Sequence, residues 1–186
     1  MINHDDEDEQ VLKRVQAFDR ETLAAIYDRY QRPIYIYIAR QVGEEETARD
    51  LTADVFRRLL QALKQGNGPS TNLKAWLYRT AHNITVDYFR RQSYRRHLPL
   101  IAAADISSED PVIVAERHLQ TAEVAEAWQS LTPDQQQVIA LKFMHELDNS
   151  EIAAVLHKEI GAVKSLQHRA LAALRRELEQ REKVVA

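Results

Sequence analysis

The residues in this 186-residue chain best suited to chemistry are seven histidines and the carboxylate pair Asp50/Asp54. Two histidines one helical turn apart would form half of a zinc site. His4, His82, His97, His118, His145, His157 and His168 contain no such pair. Asp50 and Asp54 do stand one turn apart, as in half of a dinuclear metal site, but no Glu-x-x-His follows them. They read instead as an acidic edge facing a partner. The chain has no Cys, which excludes disulfides, thiolate zinc sites and cysteine nucleophiles. It also lacks a P-loop, a dinucleotide fingerprint and a nucleophile elbow. The expectation is a protein with no catalytic residue, no metal and no cofactor, which acts by binding.

Charge and aromatic placement say what it binds. The net charge of −3 conceals an uneven distribution. Lys64 to His97 carries seven Lys/Arg against Asp87 alone, whereas Leu98 to Leu131 carries six acids against Arg117 alone. The basic block also holds Trp76, Tyr78, Tyr88, Phe89 and Tyr94. Rings on which bases stack, interleaved with cations that meet phosphate, suit a nucleic-acid surface. Just ahead lies "GNGPSTN", Gly66 to Asn72, a polar loop whose Asn67, Ser70, Thr71 and Asn72 can hydrogen-bond an unpaired base. A second basic face lies in "SEIAAVLHKEIGAVKSLQHRALAALRREL", Ser150 to Leu178, where helical spacing stops at His157–Glu159 and then resumes. Ile152 and Leu156 before the break can pack on Val163 and Leu166 after it, with Ala153 small enough for the crossing. Gly161, Ala162, Lys164, Ser165, His168 and Arg169 would then face outward. Small and basic residues at such a helix start can enter a DNA major groove. An ordinary helical hairpin with a solvated basic face fits the same spacing.

These groups need helices to position them. Four Gly, five Pro and long stretches of Ala, Leu, Arg, Glu and Gln predict an all-α protein. It is expected to form two small helical domains joined by a flexible linker, the C-terminal one a helix-turn-helix. Residues 1–10, with five acids, read as a disordered acidic N-terminus. The first domain spans 11–97. Within it Leu23, Ile26, Tyr27, Tyr30, Ile34 and Ile38 share one face, and Pro33 is expected to kink or break that helix. Ala48, Leu51, Val55, Phe56, Leu59 and Leu63 mark a second helix, and a third, basic helix starts at Leu73. Residues 98–120 read as an acidic linker with Pro99 and Pro111. Residues 121–186 form the second domain. There Thr132 is the expected N-cap, with Pro133 in the first helical position. Trp76 and Trp128 are expected core anchors. No apolar run is long enough to cross a membrane, so no membrane insertion and a cytoplasmic location are expected.

The chain resembles the extracytoplasmic-function (ECF) group of sigma factors in the sigma-70 family. "DLTADVFRRLLQAL" and "NLKAWLYRTAHNITVDYFRR" are similar to that family's region two. "LTPDQQQVIALKF" with "LDNSEIAAVLHKEIGAVKSLQHRALAALRREL" is similar to region four. The resemblance implies an alternative RNA polymerase sigma factor that binds core RNA polymerase, recognises promoter minus-ten and minus-thirty-five elements and promotes strand opening. It assigns polymerase docking to Asp50, Val55, Phe56 and Arg58, with Asp54 on the same acidic edge. It assigns minus-ten capture to Asn67, Ser70, Thr71 and Asn72, beside Trp76. Lys74, Arg79, Asn83, Arg90 and Arg91 would lie along the non-template single strand. It assigns duplex reading of the minus-thirty-five element to Gly161, Ala162, Lys164, Ser165, His168 and Arg169. It further implies an anti-sigma factor, expected as a separate chain because little sequence follows Leu178. His157 and Lys158 stand where the family usually has Gly and an apolar residue, and Leu166–Gln167 stands where it tends to have Arg–Leu. A different reading of the residues is a stand-alone dimeric helix-turn-helix regulator.

Overall fold

The structure, a computed structural model, describes residues 4–93 and 127–185. The expected acidic linker, 98–120, lies outside them. All regular structure among the described residues is helical. The chain divides into two compact units, one N-terminal and one C-terminal.

The first unit holds α1 (His4–Gln16), α2 (Arg20–Val42), α3 (Glu45–Lys64) and α4 (Leu73–Ser93). The acidic start is helical from His4 rather than disordered throughout 1–10. Its acids lie toward the positive end of the α1 dipole, and Glu9 pairs with Lys13 one turn on at 2.8 Å. Leu12 and Val15 are buried and anchor the helix. The chain then turns through Phe18 at φ 58°. Asp19 caps α2 by accepting the Thr22 N–H at 2.8 Å. Pro33 does not break α2, which is continuous from Arg20 to Val42. Ile26 on one side of it and Ile34, Tyr37 and Ile38 on the other are all buried, so packing on both sides outweighs the lost backbone bond. Gly43, left-handed at φ 71°, ends the helix and donates its N–H to the Ala39 carbonyl.

Helices α2, α3 and α4 pack on one another. Their core comprises Ile34, Tyr37, Ile38, Val55, Leu59, Leu77, Tyr78, Ala81 and Ile84. Tyr37 and Tyr78 meet edge to face, with ring centroids 5.6 Å apart. Burial pushes both phenols above their ordinary pKa.

The second unit holds α5 (Pro133–Ile139), α6 (Asn149–Leu156) and α7 (Ile160–Val185). Thr132 is the α5 N-cap as the sequence predicts, and it forms a capping box with Gln135. The chain continues from α5 into a π-helical turn over Ala140–Met144. A second capping box, Asp148 with Glu151, starts α6. Trp128 and Leu174 pack on a cluster of Leu131, Ile139 and Ala170, which seats α7 against the beginning of the unit.

Candidate nucleic-acid interface

The outward row on α7 is built by the turn before it. His157 is left-handed at φ 52°, ψ 42°. This turn therefore needs the conformation for which Gly is the usual choice, and His adopts it at a cost of roughly 1–2 kcal/mol. The N–H groups of His157 and Lys158 both donate to the Ala153 carbonyl, which closes α6. The first turns of α7 then bury Val163 and Leu166 and expose Gly161, Ala162, Lys164, Ser165, His168 and Arg169. All six residues assigned to duplex reading lie on this one exposed face.

Two polar ties fix that helix, and both involve positions that depart from the family's usual residues. Lys158 Nζ reaches Asp134 Oδ2 in the first turn of α5 at 2.9 Å. Gln167 Nε2 donates to Asn149 Oδ1 at the start of α6 at 2.8 Å. Leu166, shifted by one position from the family pattern, still points inward at 9 % exposure. Gln167 occupies the register vacated by that leucine and uses it for a helix-to-helix bond. The helical spacing shows which face each residue takes, but the pairings Gln167–Asn149 and Lys158–Asp134 leave no sequence signal.

In the first unit, the 66–72 loop is pinned from several directions. Gly66 adopts φ 70°. Gly68 lies so close to Leu63 that an added Cβ would fall 2.6 Å from Leu63 Cδ2, so a side chain there displaces a buried leucine. Pro69 is buried, and its carbonyl accepts a bond from Gln16 Nε2 of α1 at 3.1 Å. Asn72 accepts the Ala75 N–H through Oδ1 at 2.7 Å and so caps α4. The rest of the loop is left outward: Asn67, Ser70, Thr71 and Asn72 are exposed. Asn72 Oδ1 is therefore already engaged within the protein. Along α4, Arg79, Arg90 and Arg91 are exposed, whereas Lys74, Trp76 and Asn83 are partly buried. Arg90 pairs with Asp87 at 3.1 Å. Tyr37 Oη and His82 Nδ1, 3.2 Å apart, tie α4 back to α2.

The edge of α3 differs from expectation in one respect. Asp50 is exposed. Asp54 is partly buried and ion-paired with both Arg57 and Arg58, the latter at 3.0 Å. Val55 and Phe56, named as docking contacts by the resemblance, are core residues at 0 % and 8 % exposure. Both lie on the apolar stripe of α3 that packs inward, and the Phe56 ring meets Tyr27 edge to face at 4.9 Å. The apolar side chains that do reach solvent nearby are Tyr27 and Leu60, neither of which the sequence reading selected for docking.

Comparison with known proteins covers both units. The Sigma-70 region 2 family matches residues 26–95, and the Sigma-70 region 4 family matches residues 121–174. The ECF RNA polymerase sigma factor BldN of Streptomyces coelicolor is 32% identical over 172 residues, which cover 90% of this chain and 64% of that protein. The ECF RNA polymerase sigma factor SigX of Bacillus subtilis is 30% identical over 166 residues, covering 86% of this chain and 84% of SigX. Among solved structures, the fold is similar to CnrH in its complex with the cytosolic domain of CnrY, with a TM-score of 0.64 and 23% identity over 93% of this chain and 97% of that one. It is also similar to the sigma factor RpoE of Bartonella quintana, solved with the anti-sigma factor NepR, with a TM-score of 0.65 and 18% identity over 84% and 96% of the two chains. Two helical units, one with a pinned polar loop beside a basic helix and one with a helix-turn-helix, match the two sigma-70 regions in order. This chain belongs to the ECF sigma factors of the sigma-70 family.

Proposed function

We propose that this sigma factor works in the cytoplasm as a binding module with no chemistry of its own, directing core RNA polymerase to promoters. The outer edge of α3 docks on the polymerase through Asp50, Arg57 and Arg58, with Asp54 holding the two arginines in place. Val55 and Phe56 support that edge from beneath. The 66–72 loop takes bases from the opened minus-ten element through Asn67, Ser70 and Thr71. Lys74, Arg79, Arg90 and Arg91 follow the phosphates of the non-template strand, beside Trp76 and Asn83. Energy released when unstacked bases enter the loop offsets the few kcal/mol lost per opened step. The start of α7 reads the minus-thirty-five element as duplex through Lys164, Ser165, His168 and Arg169, and Gly161 and Ala162 let the helix end approach closely. The domains are 11–97 and 121–186, and a separate anti-sigma factor occupies the docking faces when transcription is off.

The exposed row on α7 carries this reading: four side chains able to hydrogen-bond base edges stand together, while Val163, Leu166 and Ala170 beside them are turned inward. The test is complex formation with bacterial core RNA polymerase by size-exclusion chromatography, comparing the wild-type chain with Asp50→Arg. A complex in the wild type that is weakened by the charge reversal is expected. No complex from folded, inhibitor-free protein would sink the sigma reading in favour of a stand-alone regulator.

A further inference from the structure

A shallow groove of about 650 Å³ runs along α7 from His168 and Arg169, the last members of the outward row, to Glu179. Ser130 and Gln135 form one wall. Ala172 and Ala173 lie along its α7 side, small enough for an extended chain to lie close to the helix. Three guanidinium groups, Arg169, Arg175 and Arg176, line it against one carboxylate, Glu179. Arg169 also belongs to the base-reading row, so the groove is continuous with that surface. Helical spacing places Ser165, Arg169, Ala172 and Arg176 on one face. Arg169 and Arg176 lie two turns apart, roughly 10 Å along the axis.

The two ends of the groove differ in how their cations are engaged. Arg169 Nε donates to the Ser165 carbonyl at 3.3 Å, which steadies the side chain while its terminal nitrogens remain available. Arg175 is engaged by Glu179 at 2.7 Å. Arg176 has no carboxylate partner among the described residues and is exposed.

We propose that this groove seats the sugar-phosphate backbone of duplex DNA where it leaves the major groove read by the start of α7. The proposal rests on the reading of α7 as a duplex-reading helix. A helix that enters a groove by its N-terminal turns leaves it past one strand's phosphates, and its later turns meet backbone rather than bases. Arg176 supplies the contact at the far end and Arg169 at the near end. The Arg175–Glu179 pair sets the strength: Glu179 occupies one guanidinium and repels phosphate, so the groove is held below its full affinity. Contacts of this kind add binding without sequence preference and make it more sensitive to salt.

The test uses the full chain and a labelled mixed-sequence duplex, with affinity measured by fluorescence anisotropy over a range of KCl concentrations. Arg176→Ala is expected to weaken binding roughly threefold or more and to reduce the slope of log K against log salt by about 0.9, the value for one phosphate contact. Glu179→Gln is expected to tighten binding and steepen the slope. Arg20→Ala, an exposed arginine on the other unit, controls for net charge and is expected to change neither. In parallel, holoenzyme reconstituted with core polymerase selects duplexes from a random library. Arg176→Ala is expected to leave the enriched sequence intact, whereas Lys164→Ala changes it. An unaltered salt slope in Arg176→Ala overturns the groove, including the case in which it serves an acidic protein segment instead. Enrichment indifferent to Lys164→Ala sinks the base-reading role of α7, and the slope measurement still decides the groove by itself.

Discussion

The 66–72 loop and the start of α7 both present polar side chains to solvent, but different means hold them. The loop is fixed from a distance: Gln16, on another helix, bonds the Pro69 carbonyl across 53 positions, and Leu63 fills the space that Gly68 leaves. The α7 face is fixed from nearby, by the left-handed turn at His157, the Asp148 capping box and a bond from Gln167 to Asn149 18 positions away. An irregular loop has no hydrogen-bond ladder and needs tertiary supports to keep one shape. A helix supplies its own ladder and needs only a cap and an angle. The loop's geometry should therefore fail with its supporting unit, whereas the α7 face should fail with its own turn and caps.

The largest expected effect comes from Phe56→Ala. Truncating a buried phenylalanine costs about 3–5 kcal/mol, so this change should unfold the first unit or bring it close to unfolding. Each unit has one tryptophan, Trp76 and Trp128, so variants keeping one or the other report on the units separately. The Trp76 transition should move to much lower urea concentration while the Trp128 transition stays. Movement of both would show that the units unfold as one, which breaks the contrast. This result would also mean that lost polymerase binding in Phe56→Ala reports folding rather than docking.

Next in size is Asp148→Ala. Loss of this N-cap should destabilise the second unit by about 1 kcal/mol, within a range of roughly 0.5–2. The carboxylate accepts bonds from the Ser150 hydroxyl and the Glu151 N–H, which hold its pKa below the ordinary aspartate value. A depressed native pKa gives stabilisation that is full above the unfolded value, about 3.9, and is lost as pH falls through the native one. The second unit should therefore weaken in acid below about pH 4, and the part due to this cap should be missing from Asp148→Ala. Urea titrations followed at Trp128 from pH 6 downward measure it. A wild type and variant separated by the same margin at every pH would rule the cap out as the cause.

How much of this the sequence discloses follows the same division. Thr132, Pro133 and the spacing of Ile152, Val163 and Leu166 are read directly, because caps and amphipathic faces are local rules written within a few residues. The all-α class and the outward placement of Lys164, Ser165, His168 and Arg169 follow from them. Pro33 misleads, since its local cost is real but the buried residues on either side of it outweigh it. The acidic start misleads similarly, because composition suggests disorder where Leu12 and Val15 anchor a helix. Val55 and Phe56 show the limit of carrying over a motif. A stretch can mark a docking helix while its apolar members face the core. The pairings Gln16–Pro69, Lys158–Asp134 and Tyr37–His82 join distant positions by single polar bonds, and one chain carries no signal for them.

Gln16→Ala and Gln167→Ala set those ties against each other, each costing about 1 kcal/mol as one lost side-chain hydrogen bond. Gln16→Ala should act on the loop and slow promoter opening, followed with a fluorescent base in the minus-ten strand, while duplex binding stays unchanged. Gln167→Ala should do the reverse, weakening duplex preference with opening unchanged once the complex has formed. If both variants alter both steps equally, the two sites do not behave as separately held devices.

The smallest effects test whether the α7 turn favours function over stability. His157 occupies a left-handed position, so His157→Gly relieves the side-chain penalty and should raise stability, less the entropy of a new glycine. Gly161 is the opposite case. It needs no special backbone angle, and a Cβ built on it meets nothing within 4 Å. Alanine there should therefore stabilise the second unit by about 0.5–1 kcal/mol, the ordinary gain over glycine within a helix. Nothing in the fold explains the glycine, but a surface that approaches the bare backbone at the start of α7 would. Gly161→Ala should accordingly raise the Trp128 urea midpoint and weaken duplex binding together. His157→Gly should raise the midpoint and leave binding intact. If Gly161→Ala gains stability with no loss of binding, DNA does not approach the helix closely at this point, and reading must depend on the longer side chains from Lys164 onward.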